Sequence, residues 1–331
     1  MKAAILERIG APLVVDEVSV PALGVGQVLV RIHASGICGK QIGEIAGAFG
    51  PDSHLPHLLG HEGGGVVVEI GPGVTLVKPG DHVVLHWRKG AGIESACPKY
   101  KRGDEVIGGG RVTTFSEYSV VAENRLTVIN ENESVPHEIA ALMGCAVTTG
   151  LGVVFNDAQL RPGQSIGVIG CGGVGLCVIM GAKLAGAKII TAFDTSDEKL
   201  AMACEFGATG AGLPTEPIDV FVDTTGDVRL IADAYHFVAP GGRVIMVGQP
   251  KRGEALILPD IAGDFKGKTL MDSEGGQTSP NEDIPRYLRL YRNGLLNLAG
   301  LITHRFPLDQ VNDALDVVRS GVAGRVILEM E

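Results

Sequence analysis

Three residues with metal-ligand chemistry lie far apart in this 331-residue chain. Cys38 sits in Ala34-Ser-Gly-Ile-Cys38-Gly-Lys40-Gln41, His61 in Leu59-Gly-His61-Glu62-Gly63, and Cys145 in Met143-Gly-Cys145-Ala-Val-Thr-Thr149-Gly150. Two thiolates and an imidazole suit Zn²⁺ and leave a fourth position for water or a substrate oxygen. The separations are too wide for a zinc finger. Ligands drawn from three loops suit a catalytic metal better than a structural one. Residue type alone leaves a second reading open, because single buried Cys and His side chains are more often core or redox-inert.

A second constellation is Ser165-Ile-Gly-Val-Ile-Gly170-Cys-Gly172-Gly173-Val174-Gly175. It reads as a buried strand, a tight glycine turn and a helix opening at Gly173. Gly170, Gly172 and Gly175 form G-x-G-x-x-G, in which glycine permits the sharp turn, the approach to a pyrophosphate and close helix–sheet packing. The free N–H groups of the helix start then hold the anion. A chain with 48 glycines produces the pattern by chance, so context decides. The strand-like Ile189-Ile-Thr-Ala-Phe193 follows and ends on Asp194, 19 residues beyond Gly175. An acid there accepts from ribose hydroxyls and repels a 2′-phosphate, which reads as an NAD site.

These residues need two kinds of scaffold. Up to about residue 146 the chain is β-rich, with short runs at Val14–Val18, Val28–His33, Gly64–Ile70, Val83–Leu85 and Phe115–Val121, punctuated by Pro72-Gly73 and Pro79-Gly80. Pro136 opens a helix. Between Trp87 and Val112 lies a polar, glycine-rich lobe with little periodicity. After Thr148 strands and helices alternate: strands at Ile166–Ile169, Ile189–Phe193, Val220–Asp223, Val244–Val247 and Thr269–Asp272, with a helix at Asp197–Phe206. Alternation of this kind predicts a doubly wound parallel sheet. The tail predicts helices at Ile284–Arg292 and Leu308–Arg319 and a strand at Arg325–Leu328, folding back onto the first domain.

Composition narrows the class. Hydrophobic content of 45% with 20% charged residues fits a folded globular protein. A net charge of −10 argues against a nucleic-acid partner. The uncharged stretch Pro162–Ala182 is explained by the glycine turn rather than by a membrane span. The six scattered cysteines and an opening that runs straight into a strand pattern predict thiols or metal ligands and a cytoplasmic location.

With these motifs in place, the chain resembles the zinc-dependent medium-chain alcohol dehydrogenases over its whole length. The carriers are Gly36-Ile-Cys38, Gly60-His61-Glu62-Gly63, Val77-Lys-Pro-Gly80-Asp81, Gly144-Cys145-x-Val-Thr-Thr149-Gly150, Gly170–Gly175, Asp194 and Lys199-Leu200. The branch it is most similar to holds the liver-type and glutathione-dependent formaldehyde enzymes. The resemblance implies an α/β protein in three parts. A GroES-like catalytic domain spans 1–147, a Rossmann NAD-binding domain 148–275, and a C-terminal segment 276–331 returns to the first. It further implies that Cys38, His61 and Cys145 ligate one catalytic zinc, and that Glu62 is a nearby carboxylate able to reach the metal. Thr149 and Val247 would lie against the nicotinamide, Asp194 and Lys199 would hold the adenosine ribose, and Arg325 would reach the pyrophosphate. Trp87 would wall the substrate pocket, with plain core packing as the alternative. A homodimer or homotetramer is implied, paired through the nucleotide domain around an edge strand at Arg243–Val247.

Two departures matter. The family's four structural-zinc cysteines fall on Ala91, Glu94, Cys97 and Glu105, so no structural zinc is expected. The lobe Arg88–Gly110 must then be held by its charges or by a partner subunit. The hydroxyl that relays the alcohol proton is replaced by Lys40, and the following Asp by Gln41. Lys40 is either the proton acceptor, a fixed charge for an anionic or polyhydroxylated substrate, or simply solvated. The expected activity is hydride transfer between an alcohol, such as a polyol, sugar derivative or anionic alcohol, and NAD. Two alternatives stand beside it: a zinc-free quinone or enoyl reductase of the same superfamily, and a non-catalytic NAD-binding protein.

Overall fold

The run beginning at Val28 extends at both ends into an eleven-residue strand, Gln27–Ile37, whose Val28, Val30 and Ile32 are fully buried. β-Branched residues pack well on such a half-buried pleated surface, and this strand organises the first of two units. The computed structural model describes residues 1–129, 135–212, 216–258 and 260–330. Unit one comprises Met1–Cys145, Ser279–Arg292 and Leu298–Glu331; unit two comprises Ala146–Thr278 and Asn293–Asn297.

In unit one, Gln27–Ile37 pairs with Glu62–Ile70, Tyr118–Ala122 and Arg325–Glu329, all antiparallel. The sheet continues through His82–His86 to Leu126–Ile129 on one side and through Ile302–Pro307 on the other. Val30, Ile32, Val83, Leu85, Val326 and Leu328 meet in its core. A smaller five-stranded sheet contains the hairpin Lys99–Arg102/Glu105–Gly108. Neither this hairpin nor the strand Ile302–Pro307 is announced by the sequence pattern. The predicted tail helix at Leu308–Arg319 is a short 3₁₀ turn at Leu308–Gln310 followed by the helix Val311–Ser320.

Unit two is a six-stranded parallel sheet. Its order is Gly210–Ala211, Ile189–Phe193, Ser165–Ile169, Ile218–Asp223, Val238–Met246, Thr269–Asp272. The first strand in sequence, Ser165–Ile169, lies inside the sheet and is buried at every position, as a strand covered on both faces must be. The order reverses at this strand, and ligands bind at the carboxyl ends of strands at such a switch point. The expected edge strand at Arg243–Val247 is corrected. Val238–Met246 is interior, because Thr269–Asp272 pairs along its outer side and forms the edge. Among the described residues, no single helix is long and apolar enough to cross a membrane.

Candidate functional site

Cys38 follows the Gln27–Ile37 strand and starts the helix Gly39–Ala46. His61 directly precedes the strand Glu62–Ile70, which pairs with the first at Ser35↔Gly63. Cys145 comes two residues after the helix His137–Met143. Strand pairing therefore brings Cys38 and His61 together across a long stretch of sequence. The Glu62 carbonyl, next to His61, is pinned by two hydroxyls: Ser35 Oγ donates at 3.0 Å and Thr114 Oγ1 at 3.2 Å.

One candidate donor atom from each of Cys38, His61 and Cys145 lies within 4.8 Å of the others, the one such metal-binding cluster among the described residues. Gln41 occupies one ring nitrogen of His61. The other, Nε2, is buried with no oxygen or nitrogen partner among the described residues. A hydrogen bond from the Cys145 thiol, then burial opposing it, then His61 and Arg325 act on Cys38, and its thiol is held well below the usual range. Two sulfurs and the imidazole nitrogen facing them, one sulfur predisposed to the thiolate, fit Zn²⁺.

Glu62 and Arg325 form a fully buried ion pair beside this cluster. Gly36 makes room for it, since a Cβ there would meet the Glu62 carboxylate and lie 3.0 Å from Arg325 Nη2. Arg325, carried by the strand Arg325–Glu329, thus lies against Glu62 and Cys38. Lys40 points its ammonium over the Phe49 ring, 4.0 Å from the centroid and 4.0 Å from the Glu44 carboxylate. Trp87 is half-buried, its ring faced by the Arg88 guanidinium and its carbonyl accepting from Arg125 at 2.6 Å.

The positions aligned with a structural zinc are used otherwise. Glu94 takes a hydrogen bond from Arg125 at 2.8 Å, Glu105 pairs with Arg102 at 2.7 Å, and Cys97 is an exposed thiol. The lobe is tied down from outside. Glu123 accepts from the backbone N–H of Thr75, Leu76 and Ile93 at 2.6, 2.7 and 2.9 Å. Burial would raise its carboxyl, but these three donors prevail and hold it below the usual range. Asn281 accepts from Ala91 N–H at 2.6 Å and donates to the Leu126 carbonyl. Sequence reasoning missed Glu123, Arg125 and Asn281, because their partners lie 30 or more residues away and leave no local pattern.

In unit two, Gly170 has φ of 88°, and a Cβ on Gly175 would run into the Gly170 carbonyl. Gly172 faces open space at the start of the helix Gly173–Leu184, where an added Cβ would meet nothing within 4 Å. An anion can reach these N–H groups. Asp194 receives Cys171 N–H at 2.8 Å and Ser196 N–H at 3.0 Å, so its carboxylate is fixed at the end of the neighbouring strand. Lys199 lies in the first turn of the helix Asp197–Phe206. Val247 follows the strand Val238–Met246, its N–H donating to the Asp223 carbonyl at 2.8 Å. Thr149 is buried in the helix Ala146–Gly152.

Comparison with known proteins agrees with both halves. The alcohol dehydrogenase GroES-like domain model matches residues 24–131, and the zinc-binding dehydrogenase model matches residues 173–293. S-(hydroxymethyl)glutathione dehydrogenase of Escherichia coli is 32% identical, with 99% of each chain covered. The chain belongs to the zinc-dependent alcohol dehydrogenases. Two solved members show the same fold. The alcohol dehydrogenase zinc-binding domain protein of Burkholderia ambifaria has a TM-score of 0.89 at 27% identity, covering 100% of this chain and 98% of that one. The alcohol dehydrogenase of Thermus sp. ATN1 has a TM-score of 0.83 at 27% identity, covering 100% of both. Zinc and NAD are the cofactors of this dehydrogenase, and the Cys38/His61/Cys145 cluster and the Gly170–Gly175 turn fit them.

Proposed function

We propose that this dehydrogenase oxidises a small alcohol that bears a negative charge or several hydroxyls, and that Lys40 selects it. The observation that carries the reading is Lys40 itself. An ammonium stands two residues from metal ligand Cys38, in place of the family's hydroxyl relay. When bound, zinc polarises the substrate oxygen and NAD accepts the hydride.

The chain's own residues supply the rest. Cys38, His61 and Cys145 hold the metal. Glu62, locked by Arg325, sets the charge behind it. Lys40 either takes the alcohol proton or holds an anionic group by charge. Trp87 walls the substrate pocket. Thr149 and Val247 contact the nicotinamide. Asp194 and Lys199 hold the adenosine ribose, with Gly170, Gly172, Gly173, Val174 and Gly175 around the pyrophosphate and Arg325 reaching it. The six free cysteines support a cytoplasmic location. The Thr269–Asp272 edge, with exposed Ile261 and Phe265 close before it in sequence, supports self-association as a homodimer or homotetramer.

NADH formation with simple alcohols, polyols and hydroxy acids tests the reading, run in parallel on Lys40→Thr. Preference for polyols or hydroxy acids that collapses in Lys40→Thr is the expected result. An unchanged profile removes Lys40 from both roles. NAD binding without turnover of any alcohol would favour the non-catalytic alternative.

A further inference from the structure

The helix Gly39–Ala46 carries Lys40 and Glu44 one turn apart, so both side chains rise on one face. Lys40 Nζ stands 4.0 Å from Glu44 Oε1 and 4.0 Å from the centroid of the Phe49 ring. Gly43 permits this arrangement. A Cβ there would come within 2.9 Å of two Phe49 ring carbons, so glycine lets the ring lie against the helix and face the ammonium. The ring then holds the ammonium by cation–π attraction. Cys38, His61 and His57 lie within electrostatic reach of the Glu44 carboxylate, which sets the pair beside the candidate metal centre. The Lys40 and Glu44 side chains remain 41% and 32% exposed, open to a solute.

An ammonium and a carboxylate 4.0 Å apart are too far for a direct hydrogen bond and near enough for one oxygen to touch both. A hydroxyl fits that gap. It accepts from the ammonium, which only donates, and donates to the carboxylate, which only accepts. An acid group fits Lys40 but not Glu44, because it brings like charge to close range and has no proton to donate. We propose that Lys40 and Glu44 together are the specificity determinant of this dehydrogenase: they bind a second hydroxyl of a neutral polyol and reject hydroxy acids. The inference rests on the proposed place of Lys40 at the substrate. It narrows that reading, because the paired carboxylate removes the anionic alcohols.

The test uses the full chain with zinc and NAD. kcat/KM is compared for propylene glycol, isopropanol and lactate, which carry a hydroxymethyl, a methyl or a carboxylate beside the same carbinol carbon. Xylitol and xylonate extend the comparison to a longer chain. Polyols should exceed both isopropanol and the acids by at least about tenfold, well within what a site that hydrogen-bonds a substrate hydroxyl achieves. Glu44→Gln keeps an accepting oxygen but removes the charge that repels an acid. It should cut the polyol-to-acid ratio at least about tenfold, read mainly in KM. Zinc per chain and NAD binding equal to the parent's show that the variant is intact. A parent that accepts no polyol, or prefers the acids, overturns the proposal without any variant. A ratio in Glu44→Gln within about twofold of the parent's, while Lys40→Thr shifts it, overturns the pairing and leaves the reading of Lys40 standing. If Lys40→Thr leaves every substrate unchanged, the reading of Lys40 falls and the proposal falls with it.

Discussion

Arg125, its side chain only 2% exposed, donates to the Glu94 carboxylate at 2.8 Å, at a position where the family resemblance implies a structural-zinc thiol. The same guanidinium donates to the Trp87 carbonyl at 2.6 Å. An arginine fork reaching two elements of one loop does mechanically what a metal would do. Arg125→Met should therefore lower stability by about 1–2 kcal/mol, chiefly because the Trp87 carbonyl loses its donor, while the part-exposed Glu94 carboxylate is taken up by water. Chemical denaturation measures this, and limited proteolysis should show faster cutting near residues 88–98. Treating the parent with a chelator should leave the cutting rate there unchanged. Chelator-induced cutting in this lobe would mean that it, too, depends on a metal.

What the sequence made legible, and what it did not, follows the range of the forces involved. The Gly170–Gly175 turn was readable because its requirements are local: a positive φ at Gly170 and no room for a Cβ at Gly175. The metal ligands were readable as residue types, and only the pairing of the Gln27–Ile37 and Glu62–Ile70 strands explains why they converge. The hairpin Lys99–Gly108 was missed because short, charged strands carry no clear alternation. The interior place of Val238–Met246 was missed because an apolar run looks alike at an edge and inside a sheet. Glu123 gave no signal at all, since its three donors come from residues 75, 76 and 93.

Under the proposed reading, Asp194 sets the choice between dinucleotides by charge. Its carboxylate is immobilised by the Cys171 and Ser196 N–H groups, so it cannot swing away from an added phosphate. Asp194→Ala should weaken NAD binding and narrow the preference for NAD over NADP by roughly tenfold or more, as a lost repulsion of one charge at close range implies. Titration of both dinucleotides, followed by fluorescence, gives the ratio. A ratio unmoved by the substitution would place the ribose elsewhere.

Acid should weaken unit one through a histidine stack. The rings of His33 and His137 are 4.3 Å apart and those of His82 and His137 5.2 Å apart, both nearly parallel. Burial, then the neighbouring His33 and His82, lowers His137 to about 4. The unfolded chain takes up protons from about pH 6.5 downward while the folded stack refuses them. Stability is therefore full above about pH 6.5 and is lost as pH falls toward 4. His86, buried and also lowered to about 4, adds its own share. His137→Asn should flatten the loss between these limits by roughly 1–2 kcal/mol. Urea midpoints across that range check it, and equal slopes in parent and variant would remove His137 from the account.

The most direct measurement is zinc per chain on the purified protein with NAD present, repeated on Cys38→Ser. The Cys38/His61/Cys145 centre, with the lobe held by Arg125, Glu123 and Asn281 instead of a second metal, predicts about one zinc per chain in the parent and close to none in the variant. About two per chain, or one that survives Cys38→Ser, would contradict the account, and so would none at all with NAD still bound.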